Sequence, residues 1–190
     1  MKKYAVVKNA ITDELRQILY ASMHIMKDAE YFVNGISLKN KNHFTDTSTV
    51  TSNAWPVYGS PVTDALLIYM KPLIEEVTEK KLLPTYSYGR IHWQGSSMPK
   101  HTDRPSCEYS ITLCISSDGA DKPWPIYMDG NEVILNPGDL CIYKGIDVPH
   151  WRDEFQGTEH IQVFLHYVDQ EGPYTEWVYD KRQVLGTKVI

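Results

Sequence analysis

The 190-residue chain is long enough for one well-buried core but short for two, so we expect a single domain over residues 1–190. Its 19 basic and 24 acidic residues give a formal net charge of −5, which disfavours nucleic acid as a partner. The apolar runs are much shorter than the roughly 20 residues of a membrane span, and no signal-like stretch follows Met1-Lys2-Lys3. We therefore expect a cytoplasmic protein with no membrane partner, and the oligomeric state stays open.

The three cysteines, Cys107, Cys114 and Cys141, are an odd number without CxxC spacing. This pattern argues against both a disulfide framework and a structural zinc site of the Cys-rich type. We expect all three to be small core residues.

The first 83 residues predict helical support for a larger β-structure. Residues 5–7 favour a short strand, and Thr12 precedes acidic residues and a run of apolar residues at helical spacing. Ser60 and Pro61 predict the start of a second helix, which Pro72 should kink or divide. Residues 31–59 show no sustained period, so we interpret them as a surface excursion that could act as a lid over a site.

From residue 84 onward, short β-branched and aromatic runs alternate with turn residues such as Asp129-Gly130, and no helical pattern interrupts them. The predicted strands are residues 85–93, 108–115, 126–128, 132–135, 140–144 and 160–168. We therefore predict a mainly β fold with N-terminal helices. Its core over residues 84–168 would be a double-stranded β-helix (jelly-roll, cupin-like), followed by a C-terminal extension over residues 169–190.

One pair of residues suggests a metal site. His101 and Asp103 are two positions apart, so an extended strand would place both side chains on one face. His150 follows the strand after the turn at residues 137–139 and could supply a third ligand. Two histidines and one carboxylate form the facial triad that leaves open positions on non-haem Fe(II). An HxD pair alone is a weak signal, and its position in this series of strands strengthens it.

Residues 83–167 resemble the catalytic core of the 2-oxoglutarate and Fe(II)-dependent dioxygenases, particularly the prolyl 4-hydroxylase-like branch. The similar segments are residues 88–95 (strand and glycine loop), His101-Thr102-Asp103 (the HxD pair), residues 110–113 (the next strand), residues 137–140 (the turn) and the distal His150. The resemblance implies Fe(II), 2-oxoglutarate and O2 as cofactor and co-substrates, with His101, Asp103 and His150 as iron ligands. It also implies hydroxylation of an amino-acid side chain, free or peptidyl and possibly prolyl, with release of succinate and CO2.

One departure from the family concerns the far carboxylate of 2-oxoglutarate. The family usually holds it with an Arg or Lys about ten residues beyond the distal histidine, where a cation suits a carboxylate. Here that position is His160, and neither Arg nor Lys occurs between Arg152 and Lys181. Either another residue takes this role or the co-substrate differs. Our order of preference for the carboxylate-binding residue is Arg152, then a protonated His160, then Arg90.

The last predicted strand has one polar face with His160, Gln162 and His166 and one aliphatic face. The aliphatic face should be core, whereas the polar face is equally consistent with a pocket or with a solvated surface. As substrate-pocket residues we predict Trp93, Trp151, Gln162 and His166, although the tryptophans are also ordinary core residues. His24 and His43 lie outside the β-region and are expected on a helix or on the surface.

Two alternatives from other classes stay open. A cupin-type metal enzyme without 2-oxoglutarate would usually show HxH in place of the HxD found here. A non-catalytic jelly-roll module would bind a sugar or a peptide, and its triad would be incidental or would hold zinc. Structural zinc sites prefer four protein ligands, whereas this triad offers three.

Overall fold

The computed structural model describes residues 3–35, 53–118 and 123–187. In these ranges two short 3-10 segments, Pro105–Cys107 and Thr175–Lys181, accompany two α-helices and ten strands. The helices and strands are β1 Tyr4–Val7, α1 Asp13–Val33, β2 Ala54–Tyr58, α2 Pro61–Thr78, β3 Leu82–Trp93, β4 Met98–His101, β5 Tyr109–Ser117, β6 Ile126–Met128, β7 Asn131–Val133, β8 Leu140–Lys144, β9 His150–Arg152 and β10 Glu159–Asp169. Neither helix is long and apolar enough to cross a membrane.

The strands form two antiparallel sheets. The larger sheet has six strands in the order β1-β8-β5-β10-β3-β2, and the smaller has four in the order β4-β9-β6-β7. This arrangement confirms the predicted mainly β fold with N-terminal helices.

Both helices begin where the sequence predicts. The Thr12 hydroxyl accepts a hydrogen bond from the Leu15 amide, and Ser60 caps α2 in the same way. Pro72 does not divide α2, which runs unbroken from Pro61 to Thr78. Core residues lie on both sides of Pro72, Met70 before it and Ile74 after it, so burial holds the two parts in one helix.

The predicted irregular excursion over residues 31–59 is wrong at both of its ends. Its first residues complete α1, and Ala54–Tyr58 form β2, an edge strand paired with β3. This strand contains Pro56, which an edge strand tolerates because one side of it needs no amide donor. Residues 36–52 lie outside the described part of the chain, so the lid stays a prediction.

A helical turn does interrupt the β-region, contrary to our expectation. The 3-10 segment Pro105–Cys107 lies between β4 and β5, and Thr175–Lys181 forms a second one beyond β10. Single 3-10 turns carry no sustained periodicity, so the sequence pattern did not reveal them.

The central strands of the larger sheet are covered on both faces. On one face of β10, Ile161, Val163 and Leu165 pack into an apolar cluster with residues of both helices. On the opposite face of this sheet a second cluster joins it to the smaller sheet, with Cys114 and Cys141 packed against residues such as Met128. All three cysteines are buried and free, as predicted. Strand alternation thus gives the larger sheet a helix-facing side and an inner side.

The C-terminal segment is fixed to α2 by a buried ion pair. Arg182 Nη1 lies 2.9 Å from Asp64 Oδ2, and the two side chains are only 1% and 3% exposed. The other Asp64 oxygen accepts a 2.6 Å hydrogen bond from the Ser87 hydroxyl. Because both charges are buried, removal of one would leave the other uncompensated.

We therefore expect Arg182→Met to lower the free energy of unfolding by about 3–5 kcal/mol. The matched control is Arg16→Met, which removes an exposed i,i+3 pair with Asp13 and should cost about 0–1 kcal/mol. Urea denaturation of the two variants and the parent measures both values. Equal losses in the two variants would contradict the prediction.

Candidate active site

The strand pairing brings the three predicted metal ligands together. His101 ends β4 and lies opposite His150, which begins β9, while Asp103 follows β4 directly. Asp103 Oδ1 lies 3.7 Å from His101 Nε2 and 3.6 Å from His150 Nε2. The three candidate ligand atoms all lie within 4.8 Å of one another. Such a cluster can hold one divalent ion.

Hydrogen bonds orient both imidazoles for metal binding. His101 Nδ1 lies 2.8 Å from the Pro99 carbonyl oxygen, and His150 Nδ1 lies 2.9 Å from the Val148 carbonyl oxygen. A carbonyl only accepts, so each Nδ1 carries the proton and each Nε2 presents its lone pair toward Asp103. Burial lowers the pKa of His150, which favours the neutral, ligating form.

The carboxylate is fixed as firmly as the imidazoles. The Ser110 hydroxyl donates to Asp103 Oδ2 at 2.8 Å, and the Asp103 amide donates to the Gly145 carbonyl at 2.8 Å. Any side chain at Gly145 would collide with the Cys107 carbonyl oxygen and with the Asp103 carboxylate, so this close approach requires glycine. Asp103 Oδ1 is thereby left facing the two imidazoles.

A second group of possible ligands, Asp103, Cys107 and His166, fits a metal less well. Burial raises the pKa of the Cys107 thiol to about 12, so the thiolate needed for ligation is scarce at neutral pH. His166 Nδ1 is already 2.9 Å from the Ser110 hydroxyl. The His101, Asp103 and His150 group is therefore the better site.

A cavity of about 310 Å³ opens beside this group. Its lining combines the metal group with aromatic rings and two guanidinium groups. The lining residues are Tyr86, Tyr88, Arg90, Met98, His101, Thr102, Asp103, Arg104, Cys107, Tyr143, His150, Phe164 and His166. Such a volume accommodates a small molecule or one side chain of a larger one.

A second group of polar side chains, which we call the deep polar cluster, consists of Arg152, His160 and Gln162. Arg152 Nη1 donates to the Trp124 carbonyl oxygen, and its guanidinium lies 4.5 Å from the centre of the Trp124 ring. Within the described residues, Arg152 Nε, both ring nitrogens of His160 and Gln162 Oε1 are buried without a hydrogen-bond partner. Unpaired buried polar atoms are costly, so this cluster can accept a polar ligand group.

The charges in the deep polar cluster differ from one of our expectations. Burial, assisted by Arg152, lowers the pKa of His160 well below its usual value, so this imidazole is neutral rather than protonated. Burial also lowers the pKa of Arg152, to about 10, which leaves the guanidinium charged at neutral pH. Arg152 is therefore the cation of the cluster, and His160 can offer a neutral N–H donor.

The remaining predicted site residues separate into two groups. Arg90 and His166 line the cavity, and Gln162 lies in the deep polar cluster. Trp93 and Trp151 do not line the cavity. Strand alternation turns Trp93 toward the helix-facing core, and Trp151 points away from its buried neighbours and stacks on Tyr127 with ring centres 4.9 Å apart.

His24 lies on α1, as expected, with its Nε2 atom 3.2 Å from the Glu159 carboxylate. His43 lies outside the described residues. Sequence reasoning missed Ser110, Gly145 and Tyr143 as site residues. The alternation of β5 could have indicated Ser110, since it places this residue on the polar face, but the other two carried no signal.

Comparison with solved structures identifies the fold. The chain matches a prolyl-4-hydroxylase from Pseudomonas putida with a TM-score of 0.66 and 16% identity, over 88% of this chain and 93% of that chain. It matches AviO1 from Streptomyces viridochromogenes Tue57 with a TM-score of 0.68 and 13% identity, over 90% and 91% of the two chains. It matches HygX from Streptomyces hygroscopicus, with nickel and 2-oxoglutarate bound, with a TM-score of 0.63 and 10% identity, over 90% and 85%.

No family model matches the sequence, and no curated protein does. The likeness to solved structures is therefore one of fold, and at that level it confirms the resemblance to the 2-oxoglutarate-dependent oxygenases. The chain has the fold of the prolyl-4-hydroxylases, and the arrangement of His101, Asp103 and His150 suits a divalent metal.

We expect His101→Ala, Asp103→Ala and His150→Ala each to lose most Fe(II) affinity while remaining folded, because each removes one of three protein ligands. His24→Ala is the matched control and should bind Fe(II) as the parent does. Anaerobic calorimetric titration measures the affinities, and circular dichroism checks the fold. Undiminished Fe(II) binding in Asp103→Ala would show that the ligand assignment is wrong.

Proposed function

We propose that this protein is a non-haem Fe(II) and 2-oxoglutarate-dependent oxygenase. The observation that carries the proposal is the group of two oriented imidazoles and one fixed carboxylate beside a cavity. Three protein ligands leave open positions on the metal, as a redox site requires. The reaction would convert substrate C–H, 2-oxoglutarate and O2 into substrate C–OH, succinate and CO2.

We also infer that the two sheets form a double-stranded β-helix core over residues 84–168, supported by residues 1–83 and extended by residues 169–190 in a single domain. The contact between the inner side of the larger sheet and the smaller sheet supports this arrangement. The metal group lies where β4 and β9 of the smaller sheet meet.

The deep polar cluster is our candidate site for the far carboxylate of 2-oxoglutarate. It offers one guanidinium with an unpaired Nε and a neutral imidazole without partners. Arg152 follows His150 by two positions in β9, so both side chains lie on the inner side, roughly 6–7 Å apart along the strand. This separation suits a five-carbon diacid whose other end lies at the metal.

Bound Fe(II) would supply the activation of O2 at the triad, driven by decarboxylation of the keto acid. The residues of this chain hold and shield that chemistry. Ser110 and the two backbone carbonyls keep the ligands in one orientation, so little reorganisation is needed during the reaction. The rings of Tyr143 and His150 pack edge-on with their centres 4.8 Å apart, so Tyr143 excludes water from that side of the imidazole.

The substrate we propose is an amino-acid side chain, free or in a peptide and possibly prolyl. The names of two of the fold neighbours, a prolyl-4-hydroxylase and a collagen prolyl hydroxylase, support this choice. We further propose a cytoplasmic protein whose partners are small molecules or peptides rather than nucleic acids.

We expect the Fe(II)-loaded protein to convert 2-oxoglutarate to succinate in the presence of O2, because uncoupled turnover needs only the metal and the keto acid. Succinate release is measured alongside binding of 2-oxoglutarate to the Fe(II) form under anaerobic conditions. The control is His101→Ala. If the parent shows neither binding nor turnover of 2-oxoglutarate, the proposal is refuted. A cupin-type enzyme or a binding module would then remain.

We expect Arg152→Gln to raise the KM for 2-oxoglutarate at least tenfold, about 1.4 kcal/mol, because the far carboxylate would lose its cation. His160→Gln should have a smaller effect, since a neutral donor replaces a neutral donor. Arg90→Gln tests the third candidate, which also lines the cavity, and its KM should stay near that of the parent if Arg152 holds the carboxylate. An unchanged KM in a folded Arg152→Gln variant would remove Arg152 from this role.

A further inference from the structure

Arg104 is held at the cavity in an unusual setting. It directly follows the metal ligand Asp103 and lines the cavity. Its guanidinium carbon lies 4.8 Å from the centre of the Tyr86 ring and 5.7 Å from that of Trp177. The side chain nevertheless remains 46% exposed, so part of its donor edge faces open space. Packing by two rings fixes the orientation of the guanidinium plane.

A strained turn supplies the acidic partner of Arg104. Tyr179, Asp180 and Lys181 have φ angles of 54°, 54° and 64°, a left-handed conformation that non-glycine residues rarely adopt. The turn places Asp180 Oδ2 at 2.8 Å from Arg104 Nη2 and at 2.6 Å from the Tyr58 hydroxyl. The C-terminal segment thus holds the Arg104 guanidinium in position through its ion pair with Asp180.

The charge around the cavity opposes that of the chain as a whole. Asp103 is the sole carboxylate among the described lining residues, and it belongs to the metal group, whereas Arg90 and Arg104 both line the cavity. Lys181 also lies close by, with its ammonium 4.0 Å from the centre of the Trp177 ring. With Asp180, which pairs with Arg104, two carboxylates face three cationic groups here, so the opening has an excess of one positive charge although the net charge of the chain is −5.

A bracing role alone does not account for the exposure of Arg104. Arg182 braces the same C-terminal segment and is 1% exposed, with its donors directed to Asp64 and to backbone carbonyls. Arg104 donates a side-chain hydrogen bond to the Asp180 carboxylate, lines the cavity and remains 46% exposed. An exposed, preoriented guanidinium is suited to a planar anion.

We infer that the substrate carries a carboxylate and that Arg104 binds it at the opening of the cavity, with the substrate body against Tyr86 and Phe164. The inference rests on the proposed function, because it names the substrate class of the same site. The far carboxylate of 2-oxoglutarate belongs to Arg152 in the deep polar cluster. Arg104 therefore discriminates among substrates without contributing to co-substrate affinity.

The test uses two matched pairs of probes, benzoate with benzamide and N-acetyl-L-proline with its amide. Each pair differs in charge but hardly in size. Binding is followed by tryptophan fluorescence of the intact protein, because Trp177 contacts Arg104 and Lys181. We expect the parent to bind the carboxylate of at least one pair about tenfold more tightly than the amide, a difference of about 1.4 kcal/mol. Trp177→Phe should remove the fluorescence change.

Arg104→Gln should abolish the preference by weakening the carboxylate while leaving the amide unchanged. Arg104→Lys keeps the charge without the planar fork and should retain part of the preference. The matched control is Arg16→Gln, which removes another arginine paired with an aspartate, on α1 and away from the cavity. It should bind as the parent does.

Two results would overturn the inference. One is a parent that shows no preference for the carboxylates, whether it binds both members of a pair equally or binds neither. The other is an Arg104→Gln variant that loses affinity equally for both members of a pair, which would indicate a structural brace. The readout needs no turnover. Failure of the carboxylate preference is thus distinguishable from failure of the oxygenase assignment.

Discussion

The central strands β3, β5 and β10 are covered on both faces. The positions of the site residues depend on which side chains occupy each face. The helix-facing side is aliphatic, with residues such as Ile91, Ile111 and Leu165 fully buried. The inner side carries buried polar residues at the alternate positions, including Thr112, Gln162 and His166. Because side chains alternate strictly along a strand, a shift of one residue in register would exchange the two sets. The apolar side therefore fixes the position of every polar group on the other side.

Two kinds of buried polar group lie on the inner side of the sheet. Around the metal group, each side chain has a protein hydrogen-bond partner: the Ser110 hydroxyl donates to Asp103, and backbone carbonyl oxygens accept from the two imidazoles. In the deep polar cluster several atoms have none within the described residues, among them Arg152 Nε. A buried polar atom left unpaired costs about 1–3 kcal/mol. The contrast supports a preorganised metal site beside a region that is completed by a ligand.

The sequence could indicate the group of His101, Asp103 and His150 because their chemistry and spacing are local. His101 and Asp103 lie on one short segment, and His150 follows a recognisable turn and strand. Both helix starts were also predictable, since the hydroxyls of Thr12 and Ser60 accept hydrogen bonds from backbone amides three residues further along the chain. These features depend on neighbours along the chain, where single-sequence reasoning is strongest.

The features that were missed depend on contacts between distant segments. Strand β2 contains Pro56 and exists because β3 offers it an edge. Gly145 lies beside Asp103 through tertiary packing alone, and Asp180 reaches Arg104 from 76 positions away. The two tryptophans do not line the cavity for a different reason, since each directly follows an inward-facing residue, His92 or His150, and strand alternation places it on the opposite face.

The two arginines assigned to ligands differ in burial, and burial determines what each can recognise. Arg152 is 3% exposed, so any anion that reaches it must lose its water and be fully enclosed. Such a site tolerates one size of molecule and suits a co-substrate that is the same in every turnover. Arg104 is 46% exposed and can bind a carboxylate that stays partly hydrated, which costs less and permits bodies of different shape. The buried Arg152 would bind 2-oxoglutarate, and the exposed Arg104 would bind the carboxylate of the substrate. Both molecules could then approach one metal without competing for the same cation.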